Sequence, residues 1–566
     1  MIILGLNYYY HDSTACLVVD GKLIAAIEEE RLNRDKHTKA FPDSAIARCL
    51  KIAKLDYSDI DYIAISIKPS HNSPKKLFYW SLHIRSINAA KAFMRNEIGH
   101  VFLKQRSFWI WYKSNYDSKK KGPKVHFIPH HNCHAPGSFY ISPYKEAALL
   151  GIDGSGEWGT TWLGHGIDNK IEVLGESFIP HSLGAFYVGV TQFCGFKPYY
   201  DEGKTMGLAP FGNPDVYKEE VGKMVRVDKN GRLQFDLSYF DVQNNLSLER
   251  FSPKFYKKFG EGRKHGEEFK QRHMDIAAAF QQVLEDRVLE ICDVLYQKTK
   301  TDYLVISGGV SLNSVMNGRI IRESKFKDVY VMPAAGDNGT AIGAAYYLYN
   351  GILKKPRNFV HLNPYVGTCY TNQEIEMVLK SAKLNYEYIE DISEKAASLL
   401  ERGKIIGWFQ GKMEIGPRAL GSRSILANPA FPDMKDKINA EVKFREAYRP
   451  FAPSAIVEAK NQFFDLSVEA PFMLKVCNVL KEKQSVIPAV THVDGSARLQ
   501  TVNRESHPQY YDLIKKFGDK TGVPVILNTS FNIQGEPLVE SPKDAIRCFF
   551  STGLDALLIG NYCLTK

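Results

Sequence analysis

His130 and His134 lie four residues apart in His130-His131-Asn132-Cys133-His134. On a helix that spacing puts both imidazoles on one face, a turn apart, where they can share a metal ion. The same spacing also suits two ordinary surface or core histidines, so other residues must decide. A third ligand has to come from far along the chain, and Asp337, in Pro333-Ala334-Ala335-Gly336-Asp337-Asn338-Gly339-Thr340, is the best candidate. Two nitrogens and a carboxylate suit Fe(II), while ligand type leaves Zn and Mn open. His131 reads as a supporting or exposed residue rather than a ligand. His11 stands at the end of the first apolar segment and is a candidate general base, because imidazole titrates near neutral pH. A hydrogen-bonded structural histidine is its alternative reading. Lys204, in Glu202-Gly203-Lys204-Thr205-Met206-Gly207, is the second catalytic candidate.

A different chemistry lies near the C-terminus. Gly416-Pro417-Arg418-Ala419-Leu420-Gly421-Ser422-Arg423-Ser424 sets two arginines among glycine, proline and serine. Lys443, Arg445 and Arg449 follow within eight residues, Arg498 comes after Asp494-Gly495-Ser496, and Asn528-Thr529-Ser530-Phe531-Asn532 adds hydroxyls and amides. Guanidinium grips phosphate or carboxylate with two parallel hydrogen bonds, and lysine acts as a movable point charge. A solvated basic face is the alternative. Arginines interleaved with Gly, Pro and Ser favour a built oxyanion site.

The elements that must position these groups show a repeat. Residues 2–30 read as a strand ending at Asn7, a polar turn with His11 and Asp12, a strand from Ala15 to Val19, an Asp20-Gly21 turn and a return strand to Glu28. Residues 147–175 follow the same plan: Ala147 to Ile152, the turn Asp153-Gly154-Ser155-Gly156, a strand near 160–164, an Asp168-Asn169 turn, and Ile171 to Leu174. Duplicated strand-turn-strand units followed by helices characterise the actin-like ATPase fold, which holds nucleotide between its halves. Asp12 and Asp153 occupy comparable turns and are nucleotide-site candidates, with Gly154 and Gly156. Met274 to Gln297 carries one apolar stripe at helical spacing, and the apolar strand Tyr303 to Ser307 runs into Gly308-Gly309 and Asn313. Such a turn offers bare N–H groups to a phosphate. A small-residue helix follows from Ala341 to Leu348.

A chain of 566 residues is too long for one core. Residues 350–372 carry Lys354-Lys355-Pro356, Pro364 and Gly367, so the expected domains are 1–355 and 370–566. Hydrophobic content of 44% and charged content of 24% are those of a soluble globular protein. No apolar run reaches membrane-spanning length, no signal peptide is recognisable, and nine scattered cysteines without a Cys-x-x-Cys pair read as reduced thiols, so a cytoplasmic location is expected. The net charge of +10 suits anionic ligands. Much of it lies between Arg85 and Lys124, where Lys119-Lys120-Lys121 follows Phe108-Trp109-Ile110-Trp111-Tyr112. Nucleic-acid or membrane-surface binding is one reading of that segment, and a peripheral insertion covering an active site is another.

Taken together, Tyr10-His11-Asp12-Ser13-Thr14-Ala15, Glu28-Glu29-Glu30-Arg31-Leu32, His130-His131-x-x-His134-Ala135, Asp153-Gly154-x-Gly156-Glu157, Glu202 to Ala209, Ser307-Gly308-Gly309-Val310, Gly416 to Gly421 and Asn528 to Asn532 resemble the O-carbamoyltransferases that modify antibiotics, cephems and nodulation factors. The resemblance implies an actin-like N-terminal domain similar to the tRNA threonylcarbamoyl-transfer enzyme, and a C-terminal YrdC-like α/β domain. It implies that carbamoyl phosphate and ATP, with Mg on the nucleotide, give carbamoyl-adenylate in the YrdC-like domain, releasing phosphate and pyrophosphate. The carbamoyl group then passes to a hydroxyl of a small natural-product or sugar acceptor, and AMP leaves, in an N-terminal site where the family carries iron. By motif, the iron ligands are His130, His134 and Asp337. The anion-binding set is Arg418, Lys443, Arg449, Arg498, Asn528 and Ser530, with Arg445 and Asn532 beside them. A role in secondary metabolism follows, with no nucleic-acid partner and with a homodimer compatible. The chain departs from the common pattern at Gly336-Asp337-Asn338 and in the segment 78–125, which leaves the acceptor unnamed. A tRNA-modifying threonylcarbamoyl-type transferase is the alternative function, and a non-catalytic nucleotide-binding regulator is a third.

Overall fold

β1 (Ile2–Asn7) is almost wholly buried, as an apolar run without alternation requires when both sheet faces are covered. It pairs antiparallel with β2 (Thr14–Val19), which turns through Asp20 and Gly21 into β3 (Lys22–Glu28). Both turn residues have positive φ, 47° and 80°, as a two-residue hairpin demands. On its other side β1 pairs parallel with β4 (Tyr62–Ile65), and β4 with β5 (Lys124–Phe127), giving the order β3-β2-β1-β4-β5.

The second sheet repeats this plan. β6 (Glu146–Gly156), β7 (Gly159–Ile167) and β8 (Lys170–Phe178) form the antiparallel meander. A small hairpin, β9 (Val225–Val227) with β10 (Leu233–Phe235), follows as a separate sheet. β11 (Tyr303–Ser307) then pairs parallel with β6, and β12 (Asp328–Val331) with β11, giving β12-β11-β6-β7-β8. Counted from the first strand of each meander, both sheets read third-second-first-fourth-fifth. This duplicated topology is the actin-like ATPase fold. One local expectation fails: Asp153–Gly156 is not a turn but the end of β6, where the register with β7 shifts between Ile152 and Gly156. An irregularity of that kind re-aims a side chain that a regular strand would direct elsewhere.

The computed structural model describes residues 1–84, 87, 90–91, 94, 100–116, 122–242 and 248–566. Arg85 and Lys119-Lys120-Lys121 lie outside the described residues. In the aromatic cluster, Phe108 and Trp111 are buried while Trp109 and Ile110 are exposed. Among the described residues no helix is long and apolar enough to cross a membrane.

Residues 1–26 and 37–361 form one unit, and 27–36 with 362–566 form the other. The short segment 27–36 departs from the expected division at 355–370. Its Arg31, buried between Glu28 and Glu30, donates to the Gly416 carbonyl (2.9 Å), and Arg34 donates to the carbonyls of Pro537 (2.9 Å) and Leu538 (2.5 Å). Two guanidinium groups thus hold these residues to a part of the chain some 400 to 500 positions away.

The second unit is a ten-stranded mixed sheet whose middle is β14 (Ile406–Phe409), β15 (Arg423–Ala427), β20 (Val525–Ser530), β16 (Ala452–Ile456) and β19 (Ser496–Val502), where β17 and β18 are Phe464–Asp465 and Lys475–Val479. The other edge is β13 (Glu387–Tyr388), β22 (Tyr562–Thr565) and β21 (Ala556–Ile559). Trp408, Tyr510, Phe517 and Leu400 share its core, with the amphipathic helices Ile392–Glu401 and Pro508–Thr521 covering the sheet.

Candidate metal centre and anion site

His130 and His134 open a helix, His130–Tyr140, that is buried throughout most of its length. The helix packs on Thr340–Tyr346 at a contact where neither side has room for a side chain: a Cβ on Gly343 would sit 1.7 Å from the Cys133 carbonyl oxygen, and one on Gly137 would sit 2.4 Å from the Gly343 Cα. Close backbone approach brings the start of the first helix to Asp337, whose short 3₁₀ turn leads into the second. Glu157 fixes the first helix from the other direction. Its two carboxylate oxygens accept the His130 N–H at 3.1 and 3.0 Å, and one also accepts the Lys68 N–H at 2.7 Å. A carboxylate at a helix N-terminus satisfies donors that have no partner within the helix. The Tyr10 hydroxyl in turn accepts the Glu157 N–H, and its ring meets the His130 ring edge-on at 5.6 Å.

The result is a compact buried set. His130 Nε2 and His134 Nε2 are 2.9 Å apart, and each faces the same two carboxylates: Asp153 Oδ2 at 3.2 and 3.6 Å, and Asp337 Oδ1 at 3.4 and 3.5 Å. One ligand atom from each of the four lies within 4.8 Å of the others. Burial disfavours a charged His130, yet the carboxylates of Asp337 and Asp153 outweigh it and push its pKa well up; burial would raise Asp153, but the two imidazoles bring it well down. Two imidazole lone pairs and two buried carboxylates form a donor set that a divalent cation satisfies, and Fe(II), Mn and Zn all accept such ligands. Close packing preserves the arrangement: a Cβ on Gly156 would lie 2.2 Å from the His130 ring. His131, though buried, is not in the set, and burial together with His130 pushes its pKa down to about 3.

Asp153, which the sequence marks as a nucleotide-site candidate, also lies among the metal candidates. Its Oδ1 accepts the Gly309 N–H at 3.0 Å. That N–H is turned to the His/Asp set in this structure. The Gly308 N–H is likewise used, by the Ala335 carbonyl. Asn313 caps the helix Ser314–Glu323 by accepting the Met316 N–H and exchanges hydrogen bonds with Gln281, so both ends of its amide are engaged. Gly154 remains open, with no atom within 4 Å of a Cβ placed there.

His11 lies alongside. Its Nδ1 is 2.9 Å from Asp12 Oδ2 and its Nε2 is 3.8 Å from Asp337 Oδ2. Burial opposes the imidazolium, but Asp337 and Asp12 win and push His11 up to about 10. The other oxygen of Asp12 binds His37 Nδ1 at 2.6 Å, so Asp12 stands between two imidazoles. His37 gave no signal in the sequence, being a lone histidine between a lysine and a threonine. The Tyr200 ring meets His37 edge-on at 4.7 Å, which brings the segment before Glu202–Leu208 to this group. Lys204 in that helix pairs with Asp201 at 3.3 Å.

In the second unit the two arginines of 416–424 separate by role. Arg423 is fully buried and donates to the carbonyls of Gln410, Gly411, Ser422 and Thr368, with its plane over Phe409 at 3.7 Å, so it is structural. Arg418 is pushed down to about 10 by burial and by Arg449. Burial and then Arg418, Arg445 and Arg449 push Arg498 well down, and burial with Arg449 takes Arg445 down to about 9. Nε of Arg418 and of Arg498 is buried without a hydrogen-bond partner. Clustered guanidinium groups lower one another, and an oxyanion is the kind of group that would relieve them. Lys443 is buried with them; its ammonium donates to both oxygens of Ser530 and to the Asn532 carbonyl and Oδ1, each at 2.9 Å. Ser530 and Asn532 thus act by holding Lys443. Asn528 donates to Ala419, Ser454 and Gln500, leaving its Oδ1 without a partner. Glu414 shapes the arginine loop by accepting the N–H groups of Leu420, Ser422 and Arg423.

The chain thus carries an actin-like unit with a buried His/Asp set and an α/β unit with clustered arginines. Residues 2–346 match the family model of the carbamoyltransferase N-terminus and residues 397–566 that of the carbamoyltransferase C-terminus. The chain belongs to the carbamoyltransferase family. An uncharacterized protein of Synechocystis is 39% identical, covering 100% of this chain and 96% of that protein. Nodulation protein NolNO of Sinorhizobium fredii is 36% identical over 99% of this chain and 80% of its own length. The 3'-hydroxymethylcephem-O-carbamoyltransferase of Streptomyces clavuligerus is 30% identical over 61% of each chain.

Proposed function

We propose that the protein is an ATP-dependent O-carbamoyltransferase that activates carbamoyl phosphate as carbamoyl-adenylate in a YrdC-like second unit and transfers the carbamoyl group to an acceptor hydroxyl at the His/Asp centre of the first. The observation that carries this reading is, in one chain of this family, a buried set of four His/Asp donors of the kind that could hold a cation, together with a separate cluster of arginines. The two halves of the reaction need those two chemistries.

In the second unit, Arg418, Arg445, Arg449 and Arg498 bind and orient the phosphate oxygens of carbamoyl phosphate and ATP, the latter with Mg, and their charge stabilises the anions released. Lys443, held by Ser530 and Asn532, contributes a point charge at a fixed place. In the first unit, His130, His134, Asp153 and Asp337 hold the divalent cation, Fe(II) by family resemblance. When bound it supplies a Lewis acid toward a carbonyl oxygen. His11 is held protonated by Asp337 and Asp12. With a cation held by this set the charge of Asp337 would be shared, and His11, then less strongly held as the imidazolium, would accept the proton of the acceptor hydroxyl.

The test is mass spectrometry of hydroxyl acceptors incubated with protein, ATP and carbamoyl phosphate. AMP and pyrophosphate form only when carbamoyl phosphate is present, and an acceptor gains one carbamoyl mass. His130→Ala keeps pyrophosphate release and loses transfer, whereas Arg449→Ala loses both. AMP formation indifferent to carbamoyl phosphate overturns the reading.

A further inference from the structure

The helix His100–Asn115 is apolar on two sides. Its inner side is partnered. Phe108 and Trp111 are buried, the first against Phe127 at 6.2 Å and the second against Phe41 and Tyr57 at 5.4 and 6.0 Å. Lys104 ties the helix to the Lys39 carbonyl, and the Tyr112 hydroxyl donates to the Pro123 carbonyl at 3.2 Å. The outer side faces water. Leu103 and Ile110, seven residues apart and so in line along the helix, are 61% and 59% exposed, with Trp109 exposed beside them. Arg106 and Lys113, also seven apart and exposed, form a basic row along the same side. The helix contains no acidic residue. The helix Ser73–His83 repeats the pattern, with Trp80 buried and Leu77 and Phe78 60% and 68% exposed.

Large apolar residues gathered on the outside of a fixed helix mark a contact surface. The inner row already packs on its own unit, so the outer row serves something beyond it. The charge of the segment says what that is. Residues 73–124 hold twelve Lys and Arg against Glu97 and Asp117, a balance of +10 that equals the formal charge of the whole chain, so the rest of the sequence sums to zero. A second copy of the chain would bring the same positive excess to this face, and the two would repel. A nucleic acid would answer the charge, but its binding uses phosphate contacts and rings stacked on bases, which leaves Leu77, Leu103 and Ile110 in water. An anionic lipid surface answers both features. Its acyl boundary takes the aliphatic side chains, tryptophan favours the interface, and the headgroups attract Arg and Lys.

We propose that the helix His100–Asn115 seats this protein on an anionic membrane surface, with Leu103 and Ile110 in the acyl boundary and Arg106 and Lys113 on lipid phosphates. The attachment is peripheral and independent of the reaction proposed above.

The test is flotation of the full chain with vesicles of phosphatidylcholine and phosphatidylglycerol at physiological salt, beside vesicles of phosphatidylcholine alone. The protein floats with the anionic vesicles, stays behind with the neutral ones, and is released by high salt. Arg106→Gln and Lys113→Gln each weaken binding about fivefold. Leu103→Glu with Ile110→Glu weakens it about tenfold or more, while thermal unfolding stays unchanged because both positions face solvent. Vesicles also move the fluorescence of the wild type to shorter wavelength, and Trp109→Phe loses most of that shift. Absence of flotation with the anionic vesicles, or flotation that Leu103→Glu with Ile110→Glu leaves intact, overturns the proposal. Binding of a tRNA probe without binding of vesicles gives the face to nucleic acid instead, and a dimer in light scattering that Ile110→Glu splits gives it to a second copy.

Discussion

Replacing Asp153 by asparagine changes the His/Asp centre with the smallest steric disturbance. The amide oxygen can keep the bond that Oδ1 accepts from the Gly309 N–H (3.0 Å). At the other position, 3.2 and 3.6 Å from the two Nε2 atoms, an amine donor replaces a carboxylate oxygen, and the four-donor set loses one of its two negative charges. Two unit charges 4 Å apart attract by about 4 kcal/mol at an effective dielectric near 20, roughly three decades in a binding constant. Stripping water from the carboxylate takes back part of that, so the expected loss is about a hundredfold in affinity for Fe(II), Mn(II) or Zn(II). Anaerobic calorimetry with metal analysis of the dialysed protein measures it, and circular dichroism verifies the fold. An affinity within about threefold of the wild type would remove Asp153 from the centre and return it to the nucleotide role.

Gly343→Ala forces the helices His130–Tyr140 and Thr340–Tyr346 apart, because the new methyl meets the Cys133 carbonyl at 1.7 Å. Thermal unfolding should show a loss of about 1–3 kcal/mol or more together with weaker metal binding, and a fully stable variant with normal affinity would contradict the packing argument. Lys443→Met removes the ammonium from the oxygens of Ser530 and Asn532, of which Asn532 Oδ1 keeps the Ser530 hydroxyl as donor, at about 1 kcal/mol for each part-buried bond lost. It should abolish pyrophosphate release while metal affinity in the first unit stays normal; normal release would show that the anion site lies elsewhere. His507 caps the helix Pro508–Thr521 by accepting the Tyr510 N–H through Nδ1 (3.3 Å), and burial pushes it down to about 4. Its folded-state pKa lies below the unfolded value of about 6.5, so its contribution is complete above pH ~6.5 and is lost as pH falls toward ~4, by at most about 3 kcal/mol. Urea unfolding at pH 7 and pH 5 should show part of this loss, and His507→Asn, which keeps a capping acceptor, should reduce the difference. An unchanged difference would assign the acid sensitivity to other groups.

Local pattern reached far along this chain. Apolar runs and two-residue turns located β1, β2 and β3 and most of their copies β6, β7 and β8, because strand burial and turn geometry depend on neighbours in sequence. Tyr303–Ser307 is the strand that its apolar run describes. The pair His130 and His134 was visible for the same reason: i and i+4 share a helix face whatever the helix packs against. Distant contributions were harder. Asp337 could be named from residue type and resemblance, and its place 3.4 Å from His130 Nε2 depends on the close crossing at Gly137 and Gly343.

Other assignments required tertiary structure outright. Asp153 met the imidazoles because an irregular end to β6 carries it there, and the register shift has no sequence signature. His37 joined Asp12 across 25 residues. Arg418 and Arg423, indistinguishable in a run of Gly and Ser, parted when the terminal nitrogens of Arg423 were taken up by four carbonyls while Arg418 came to lie near Arg449. Residue types and short spacings thus disclosed which chemistries the chain carries, since these are properties of a few consecutive residues. Which atoms meet, and with what charge, was decided by sheet order and helix packing, because Coulomb and hydrogen-bond energies act over a few ångströms in space however far apart the residues are in sequence.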